Sequence, residues 1–575
     1  MDHQSVDDRY AGRRTGARAP APRATRGERV VTLALALAVG AYFARAEGGP
    51  ASVTFVTLVT LAIAAAILLL TRRIVFSAVA VTALVAVVVT AASIKRQAMD
   101  MVLHAYDIVF YAGSWSTVSY LWSDHRASFL TVAGTLVLSL VALTIAFRLD
   151  GTRIARRHAA LALAVLSCAA LAASYVKGER RHTQFYWEDL LVSSFYVSWR
   201  ETIETLWRGQ LIEAAAAARG PTLRASSSCE PQADPPHIIL IHQESVVQPE
   251  LFPTLAYDSA LDELFHSVDG RTRRMRVETY GGASWLTEFS ILAGVSTYSF
   301  GGMRPFVQSL MQGRVHDTLP QALQRCGYRN VVFYPMLRNF VSNDKFYNAI
   351  GLGEIFDLKD QGARTVNERD RFYYRNALDE IGRHLRRSDR PLFTFIQTMS
   401  AHSPYTFTYM PQENVPGGGP GTDPEMSEYL RRLALAQRDY RFLKDELARR
   451  FPGQRFLIVH YGDHQPIATR GLLGQGRSSE AEDVALGRDS LGFITYFAVD
   501  GVGYTPPPPA DLEILDVPYL GLAVLEAARL PLSDSFRERA RLRALCDGRY
   551  AGCERQDEIL AFHRRLIDAG LLDVR

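Results

Sequence analysis

The segment Phe456-Leu-Ile-Val-His-Tyr-Gly-Asp-His464 joins a short, continuous apolar run to an Asp-His pair. Two similar runs lead to polar groups in the same way, with Glu244 just after Ile238–His242 and His402 shortly after Leu392–Thr398. Apolar runs of this length, separated by helical patterns, are typical of a mostly parallel sheet with helices on both faces. The carboxyl ends of such strands meet at one edge of the sheet. The sequence therefore predicts that these Glu, His and Asp-His groups form an oxygen and nitrogen metal site there.

The predicted α/β domain spans residues 237–575. Two more apolar runs, Asn330–Tyr334 and Phe493–Val499, supply further strands. A proline run at Pro506–Pro509 marks a C-terminal subdomain that is expected to begin near residue 504.

A candidate nucleophile lies in Tyr280-Gly-Gly-Ala-Ser-Trp-Leu-Thr-Glu-Phe289, where glycines precede a hydroxyl residue and a helical pattern follows it. The N-terminus of a helix favours anions through its free N–H groups and its dipole. A divalent metal beside the hydroxyl of Ser284 would lower its pKa and activate it for attack. The alternative is that Ser284 only caps the helix.

The first third of the chain is far more apolar than the rest, although the mean hydropathy of the whole chain is -0.02. A membrane-spanning helix needs about 20 mostly apolar residues. Several equally apolar stretches follow the first, so a cleaved signal peptide does not explain the pattern. Five stretches predict a transmembrane domain over residues 30–176: Val30–Ala46, Ala51–Thr71, Ile74–Ser93, Phe129–Phe147 and Ala159–Val176.

Basic residues predict the orientation of these helices. The N-terminal tail, residues 1–29, is rich in arginine, and with five spans it shares its side with Arg72–Arg73 and with the basic loop Arg148–His158. The loop Glu47–Pro50 carries no basic residue. The sequence therefore predicts a multi-pass protein of the bacterial inner membrane, with a cytoplasmic tail and a soluble domain on the outer side. The aromatic-rich loop Ile94–Ala127 is expected at the membrane interface.

Residues 177–236 are expected to connect the two parts. The stretch Gln184–Gln210 mixes aromatic and charged residues as an amphipathic helix that leads away from the bilayer would. A linker with no helical period follows at Gly220–His237.

Charge and cysteine content exclude other classes of protein. Lys+Arg total 64 against 60 Asp+Glu, a balance that gives no sign of a nucleic-acid partner. Five cysteines in 575 residues exclude a disulfide scaffold. Cys546 and Cys553 flank a short polar loop and could pair in an oxidising compartment or remain free thiols. Cys326 lies in a helical pattern and is expected to be a buried thiol.

Four motifs together resemble a known family. They are Glu244-Ser after a first strand, Gly-Gly-x-Ser284-x-x-x-Glu-Phe, Thr398-Met-Ser-x-His402-x-Pro-Tyr and Tyr461-Gly-Asp-His. This set is similar to the lipoteichoic acid synthase and phosphoglycerol transferase family, within the alkaline phosphatase–sulfatase superfamily. The resemblance covers the five-helix part and the residues between His237 and Val499.

The resemblance implies a site and a reaction. Glu244, Ser284, Asp463 and His464 would bind one divalent cation, with Mn²⁺ expected first and Mg²⁺ or Zn²⁺ as alternatives. Ser284 would form a covalent phospho intermediate, and His402 would contact the transferred phosphate or assist the leaving group. A phosphoglycerol or phosphoethanolamine head group would pass from a membrane phospholipid to a glycan or lipid acceptor outside the cytoplasm.

Two positions depart from the family pattern. The family nucleophile is usually Thr, and Thr279 and Thr287 lie near Ser284 as alternatives. Relatives that use phosphatidylglycerol carry a head-group-binding Arg at the place of Asn343 in this chain. Arg338 or Lys345 would have to supply that charge.

Other features near these motifs have two interpretations each. His242 and His460 lie inside strand-like runs and are expected to be supporting or core residues rather than ligands, with a role as a catalytic-site histidine as the alternative. The loop Pro411–Glu425, rich in Gly and Pro, would be either a lid on the acceptor side or a solvent loop.

The sequence bears on four alternatives to phosphoglycerol transfer. Sulfatases need Cys or Ser followed by x-Pro-x-Arg, whereas Trp-Leu-Thr-Glu follows Ser284, so sulfate ester hydrolysis is not expected. A phosphoethanolamine transferase acting on lipid A or a glycan stays open, although such enzymes usually have several disulfides. An inactive, membrane-anchored protein that binds a glycan or a partner would have no physical need for two carboxylates and a histidine in one pocket. A transporter would be expected to have charged or broken helices.

Overall fold

The computed structural model describes residues 25–99, 101–111, 126–176, 190–209, 211–224, 234–340, 343–473 and 488–574, with Val118, Trp122 and Cys229 as single residues. The chain divides into two compact units. The first comprises residues up to 98, 107–179 and 189–196, and the second comprises 99–106, 180–188 and 197–575.

The first unit is a set of apolar helices. Among the described residues, five helices are long and apolar enough to cross a membrane, which confirms the predicted five-helix part of the fold. A sixth helix continues from this unit into the second; residues 184–189 of the predicted amphipathic helix lie outside the described residues. The helices are α1 (Arg26–Ala46), α2 (Gly49–Thr71), α3 (Ile74–Met99), α4 (Arg126–Leu149), α5 (Arg156–Val176) and α6 (Leu191–Arg208).

The basic segments meet at one end of the first unit. Arg72 in the α2–α3 turn donates from Nε to the carbonyl oxygen of Ile154 in the α4–α5 loop, at 3.1 Å. Gly151 in that loop donates its N–H to the Oε1 atom of Glu28 in the first turn of α1, at 3.0 Å. The start of α1 therefore shares its end of the unit with both loops, as the charge pattern predicts.

Helix α6 begins at the other end of α1. Glu47, at the C-terminus of α1, is fully buried, and its two carboxylate oxygens accept the N–H groups of Val192 and Ser193 at 2.9 Å each. These N–H groups have no partner within a first helical turn, so a carboxylate there stabilises the start of the helix. The chain thus leaves the first unit from the end opposite the basic loops.

The described residues of the second unit form one eight-stranded sheet in the order β4-β3-β5-β1-β6-β7-β2-β8. Strand β7 runs antiparallel to β6 and β2, and the other pairings are parallel, which confirms the predicted fold class. The short strands β2, β4 and β8 were not predicted. The bounds are β1 (His237–Gln243), β2 (Arg273–Arg276), β3 (Arg329–Phe333), β4 (Glu354–Phe356), β5 (Leu392–Gln397), β6 (Phe456–Gly462), β7 (Ile494–Val502) and β8 (Ile514–Asp516).

Alternation along the strands separates the two faces of the sheet. Ile239 and Ile241 of β1 pack with apolar side chains of the long helices on one face. His242 points to the other face together with Gln397, its register partner on β5. The helices of this unit are α7 (Trp285–Ala293), α8 (Val307–Leu310), α9 (Leu319–Arg325), α10 (Asn343–Ala349), α11 (Asp370–Leu385), α12 (Pro424–Arg450), α13 (Leu520–Ala527), α14 (Asp534–Leu545) and α15 (Gln556–Asp568). Of these, α11 and α12 cover the face of Ile239.

Two loops singled out in the sequence can be described. Met101–Tyr106, part of the loop expected at the membrane interface, is buried within the second unit, where the Tyr106 ring lies 4.7 Å from that of Phe306. The loop Pro411–Glu425 is mostly exposed, with Val415 buried and the N–H of Gly419 donating to the carbonyl of Ala256. The region after residue 504 contributes β8, which pairs with β2, so part of it belongs to the sheet itself.

Four cysteines form two disulfides, Cys229–Cys326 and Cys546–Cys553. The expectation of a buried thiol at Cys326 is wrong. Its partner is 97 residues away in the sequence, and local spacing cannot reveal a contact at that distance.

Candidate active site and metal centre

Glu244, Ser284, Asp463 and His464 converge at the carboxyl edge of the sheet. The His464 Nε2 atom lies 3.1 Å from Glu244 Oε1 and 3.3 Å from Asp463 Oδ2. Ser284 Oγ donates to Glu244 Oε2 at 2.8 Å and lies 3.4 Å from His464 Nε2. The carboxylates and the imidazole are buried, whereas Ser284 is half-buried. The hydroxyl therefore stands at the accessible rim of a buried charged cluster.

Ser284 does not act as a helix cap. It stands directly before α7, yet its side chain makes no capping hydrogen bond, and its backbone is already helical at φ −47° and ψ −32°. A capping serine would be extended and would bond a backbone N–H of the first turn. The alternatives for the nucleophile are occupied elsewhere, since Thr279 Oγ1 donates to the Gly282 carbonyl and Thr287 Oγ1 to the Asp463 carbonyl.

Backbone strain flanks both Ser284 and Glu244. Ala283 has φ 62° and Ser245 has φ 58°, in the left-handed region that L-residues with side chains rarely adopt. Such residues persist only where the surrounding structure holds them, and they concentrate at functional sites. The Ser245 N–H donates to Asp463 Oδ1 at 2.8 Å, which fixes one carboxylate from the strained turn beside the other.

Glu244 and His464 shift each other's pKa values strongly. Burial raises the pKa of Glu244, but the neighbouring His464 imidazole outweighs it and holds the pKa well below its usual range. Burial likewise lowers the pKa of His464, and the carboxylates of Asp463 and Glu244 outweigh it, raising the pKa to about 9. The Glu244 carboxylate is therefore charged, and the cluster favours a positive group beside it.

His242 also belongs to the cluster, although the sequence pointed to a supporting or core role. One potential ligand atom each from His242, Glu244 and Asp463 lies within 4.8 Å of the others. The buried atoms His242 Nε2 and Asp463 Oδ2 have no hydrogen-bond partner. Buried polar atoms are almost always satisfied, so this pair fits a cation that binds both. The spacing of two between His242, near the end of β1, and Glu244, just after it, is the signal that both point to one side of the chain.

His402 lies near the cluster on the loop after β5. It is half-buried, and its charge is among those that lower the pKa of Glu244. Its Nδ1 atom lies 2.5 Å from the carbonyl oxygen of Ser403. Arg432 of α12 donates to the carbonyl oxygens of His402 and Pro404, at 2.5 and 2.8 Å, and so holds this loop from beneath.

No hydrogen bond or ion pair joins the predicted head-group residues to the cluster in the described part of the chain. Arg338 pairs with Asp357 and Asp360, so its guanidinium is already neutralised. Lys345 is exposed. Asn343 is buried at the start of α10, and its Oδ1 atom has no hydrogen-bond partner.

A buried carboxylate connects α10 to the nucleophile helix. Glu288, one turn after Ser284 on α7, accepts hydrogen bonds from Gln308 at 2.8 Å and from Gln397 at 2.6 Å. Gln397 also donates to the hydroxyl of Tyr347 on α10, at 2.8 Å. Burial raises the pKa of Glu288 to about 7. This network fixes α7 relative to the end of β5, and sequence spacing gave no sign of its glutamine members.

Comparison with known proteins gives a match in the second unit. Residues 275–483 match the Sulfatase family model. An uncharacterized protein of Haemophilus influenzae is 22% identical over 320 residues, which are 52% of this chain and 55% of that protein. The chain thus spans about half the length of the curated relative it matches.

Two solved structures are also similar. A phosphoglycerol transferase of Streptococcus pyogenes, solved with sn-glycerol-1-phosphate, has a TM-score of 0.45 at 15% identity, over 60% of this chain and 91% of that one. The integral membrane lipooligosaccharide phosphoethanolamine transferase A of Neisseria meningitidis has a TM-score of 0.47 at 12% identity, over 88% of this chain and 97% of that one.

The Sulfatase match includes Ser284, His402, Asp463 and the Gly-Gly turn before Ser284. This match lies on a mostly parallel sheet and agrees with the superfamily that the motifs resemble.

Proposed function

We propose that this protein transfers a phospho-head group from a membrane phospholipid to a glycan or lipid acceptor outside the cytoplasm, through a phospho-Ser284 intermediate. The observation that carries the proposal is the position of the Ser284 hydroxyl. It leaves the helix N-terminus uncapped and donates instead to Glu244 Oε2 at the rim of the buried cluster. A hydroxyl in this position can reach a phosphodiester while its proton is held by a carboxylate.

Glu244, Asp463 and His464 would hold a divalent cation together with Ser284. When bound, the cation supplies positive charge that lowers the pKa of the hydroxyl and neutralises the phosphoryl oxygens. Its identity is proposed as Mn²⁺, Mg²⁺ or Zn²⁺. The fit of the residues rests on their donor types and on the unsatisfied atoms His242 Nε2 and Asp463 Oδ2.

In the first half-reaction, Ser284 Oγ, which donates a hydrogen bond to Glu244 Oε2, loses its proton to solvent and attacks the phosphorus of the donor lipid. The bond between phosphorus and the diacylglycerol oxygen breaks, and His402 delivers a proton to that oxygen. In the second half, an acceptor hydroxyl loses its proton to His402 and attacks the same phosphorus. Ser284 leaves and regains its proton.

Phosphoglycerol is the first proposed head group, with Asn343 and Lys345 as proposed contacts. Phosphoethanolamine is the second, and two observations favour it. Arg338 is neutralised by two aspartates, so it presents no free charge to a glycerol phosphate. The two disulfides also remove the objection that this chain has no cysteine pairs of the kind usual in such enzymes.

The test uses the full chain, purified and placed in liposomes with head-group-labelled phosphatidylglycerol or phosphatidylethanolamine. We expect diacylglycerol release from one lipid, and mass spectrometry should find the labelled head group on Ser284. Release should disappear in Ser284→Ala and after chelation, and Thr279→Ala serves as the matched hydroxyl control that keeps it. Equal release in Ser284→Ala would place the nucleophile elsewhere. No release from either lipid, with metal bound, would favour an inactive binding protein.

A further inference from the structure

We propose that His242 binds the catalytic cation directly, beside Glu244, Asp463 and His464, and that this second imidazole biases the site toward Zn²⁺. This inference deepens the proposed function and rests on its metal site. It adds a ligand that the motif resemblance does not contain.

The distances from His242 Nε2 to the two carboxylates support a direct bond to the cation. His242 Nε2 lies 3.2 Å from Asp463 Oδ2 and 3.9 Å from Glu244 Oε2. Two ligand atoms on one tetrahedral zinc ion, each about 2.0–2.1 Å from it, lie roughly 3.3 Å apart. His464 Nε2, at 3.1 and 3.3 Å from the same two carboxylates, meets the same criterion. His242 therefore lies as close to Asp463 as His464 does, and farther from Glu244.

The orientation of the His242 ring also supports a direct bond to the cation. His242 Nδ1 lies 2.9 Å from the hydroxyl of Tyr461, its register neighbour on β6, while Nε2 is buried and has no hydrogen-bond partner. Metal-binding histidines almost always donate one ring N–H to an acceptor and present the other nitrogen to the ion. His464 is held in the same way, since its Nδ1 lies 2.9 Å from the carbonyl oxygen of Gln465. Both rings thus direct Nε2 at the same carboxylate pair.

His460 shows that burial of a strand histidine does not by itself make a ligand. It lies on β6, is fully buried, has Nδ1 3.0 Å from the Tyr496 hydroxyl and has an unpartnered Nε2. It pairs in register with Ile241, so it faces the side of α11 and α12, and its ring packs 4.5 Å from that of Tyr440. The difference between the two histidines is the carboxylate pair in front of His242.

The consequence concerns metal choice. Mg²⁺ prefers oxygen ligands and retains water, whereas Zn²⁺ takes imidazole nitrogen readily. A site with two imidazoles, two carboxylates and a serine hydroxyl is better matched to Zn²⁺ than the expected single-imidazole set. Loss of His242 should therefore weaken Zn²⁺ binding more than Mg²⁺ binding.

The test measures metal affinity of the full chain in detergent by equilibrium dialysis with Zn²⁺ and with Mg²⁺. We expect His242→Gln to weaken Zn²⁺ binding by more than about 100-fold, the upper range for residues that only support a ligand. The ratio of Zn²⁺ to Mg²⁺ affinity should fall as well. The matched change His460→Gln should leave both affinities within about threefold of the unchanged protein, and Glu244→Gln gives the scale for loss of a carboxylate ligand.

A spectrum separates direct binding from support. The Co²⁺-loaded chain should show visible d–d bands that move in His242→Gln and stay in His460→Gln, with thermal unfolding of the metal-free variants as a check on folding. Unchanged bands, or a Zn²⁺ affinity loss below about 100-fold, would overturn the proposal and leave His242 as a residue that only supports the carboxylates. Lipid turnover by the unchanged protein is scored separately. If the unchanged protein turns over lipid but metal binding is unchanged in His242→Gln, only this inference is wrong. If the unchanged protein does not turn over lipid but His242→Gln binds metal more weakly, only the proposed function is wrong.

Discussion

Gly462 shows how one residue without a side chain allows the proposed metal ligands to approach each other. It is the last residue of β6, directly before Asp463, and a Cβ atom there would lie 1.8 Å from the carbonyl oxygen of Val246. A residue with a side chain does not fit at position 462, because the backbone of the turn after Glu244 lies directly over Gly462. The carboxylates of Glu244 and Asp463 can approach only because this position is bare.

We predict that Gly462→Ala destabilises the protein by at least about 1–3 kcal/mol, the usual cost of forcing extra atoms into packed structure, and weakens metal binding. The clash is with backbone, so the β1 turn and Asp463 must move apart. Gly282→Ala is the control, because nothing lies within 4 Å of a Cβ at that position. Thermal unfolding and metal titration of both variants check this, and equal behaviour would show that the β1 turn adapts at little cost.

At the scale of elements, the loop after β5 depends on α12. Arg432 is buried on that helix, where it bonds the His402 and Pro404 carbonyls and Glu428 Oε1, the last at 2.9 Å. Its guanidinium also lies about 5 Å from the rings of three aromatic residues of the loop, Tyr405, Phe407 and Tyr409. One side chain of a scaffold helix thus sets the position of a proposed catalytic loop.

We predict that Arg432→Met lowers the free energy of unfolding by about 3–5 kcal/mol, because it leaves the buried carboxylate of Glu428 without its closest cation. Proposed lipid turnover should fall with it as His402 shifts. Arg438→Met on the same helix removes a half-exposed guanidinium and should cost less than about 1 kcal/mol. Denaturant unfolding of both variants is the measurement. Similar losses in the two would show that Arg432 does not hold the loop, and Arg432→Met with Glu428→Gln should recover part of the loss.

At the scale of the whole molecule, two buried groups, His563 and Asp370, change the stability of the fold with pH in opposite directions. His563 is buried between the Tyr550 hydroxyl, 2.8 Å from Nε2, and the Glu213 carbonyl, 2.6 Å from Nδ1. Burial lowers its pKa to about 4. Burial acts the other way on Asp370, raising its pKa to about 6. Each group therefore binds protons differently in the folded and unfolded chain across the acidic range.

For His563 the folded pKa is below the unfolded value of about 6.5, so the unfolded chain binds more protons between pH 6.5 and 4. Its contribution to stability is present above pH 6.5 and is lost as the pH falls toward 4. We predict that the stability of the unchanged protein relative to His563→Gln falls by about 1.4 kcal/mol per pH unit in that window. Denaturant unfolding at several pH values measures it. Asp370→Asn provides the opposite sign, since that group's contribution is lost as the pH rises through 6. A difference for His563→Gln that does not change with pH would show that the imidazole is not held neutral.

Topology is the other property of the whole molecule. The basic loops lie at one end of the first unit and α6 starts from the other. The two disulfides in the second unit are typical of an oxidising compartment.

We predict that a reporter enzyme needing disulfide formation is active when fused after Val574 and inactive when fused after Thr152, because the two positions lie on opposite sides of the membrane. A fusion after Pro50 should be active and serves as the control for a short outer loop. Enzyme activity in whole cells is the readout. Activity after Thr152, or none after Val574, would reverse the proposed orientation.

The sequence by itself determined the classes of structure, since membrane helices, parallel strands and charge asymmetry are encoded by local pattern. Tyr-Gly-Asp-His464 and the Gly-Gly turn before Ser284 could be placed at strand and helix ends for the same reason. Only the tertiary structure decided which side chains face each other. It brought His242 to Asp463, bonded Cys326 to Cys229, and paired Arg338 with two aspartates. These contacts join residues far apart in the chain, and their distances depend on strand register and packing, which local periodicity does not specify. Ser284 shows both contributions. The sequence places it directly before a helix, and the fold turns its side chain away from the helix cap toward Glu244.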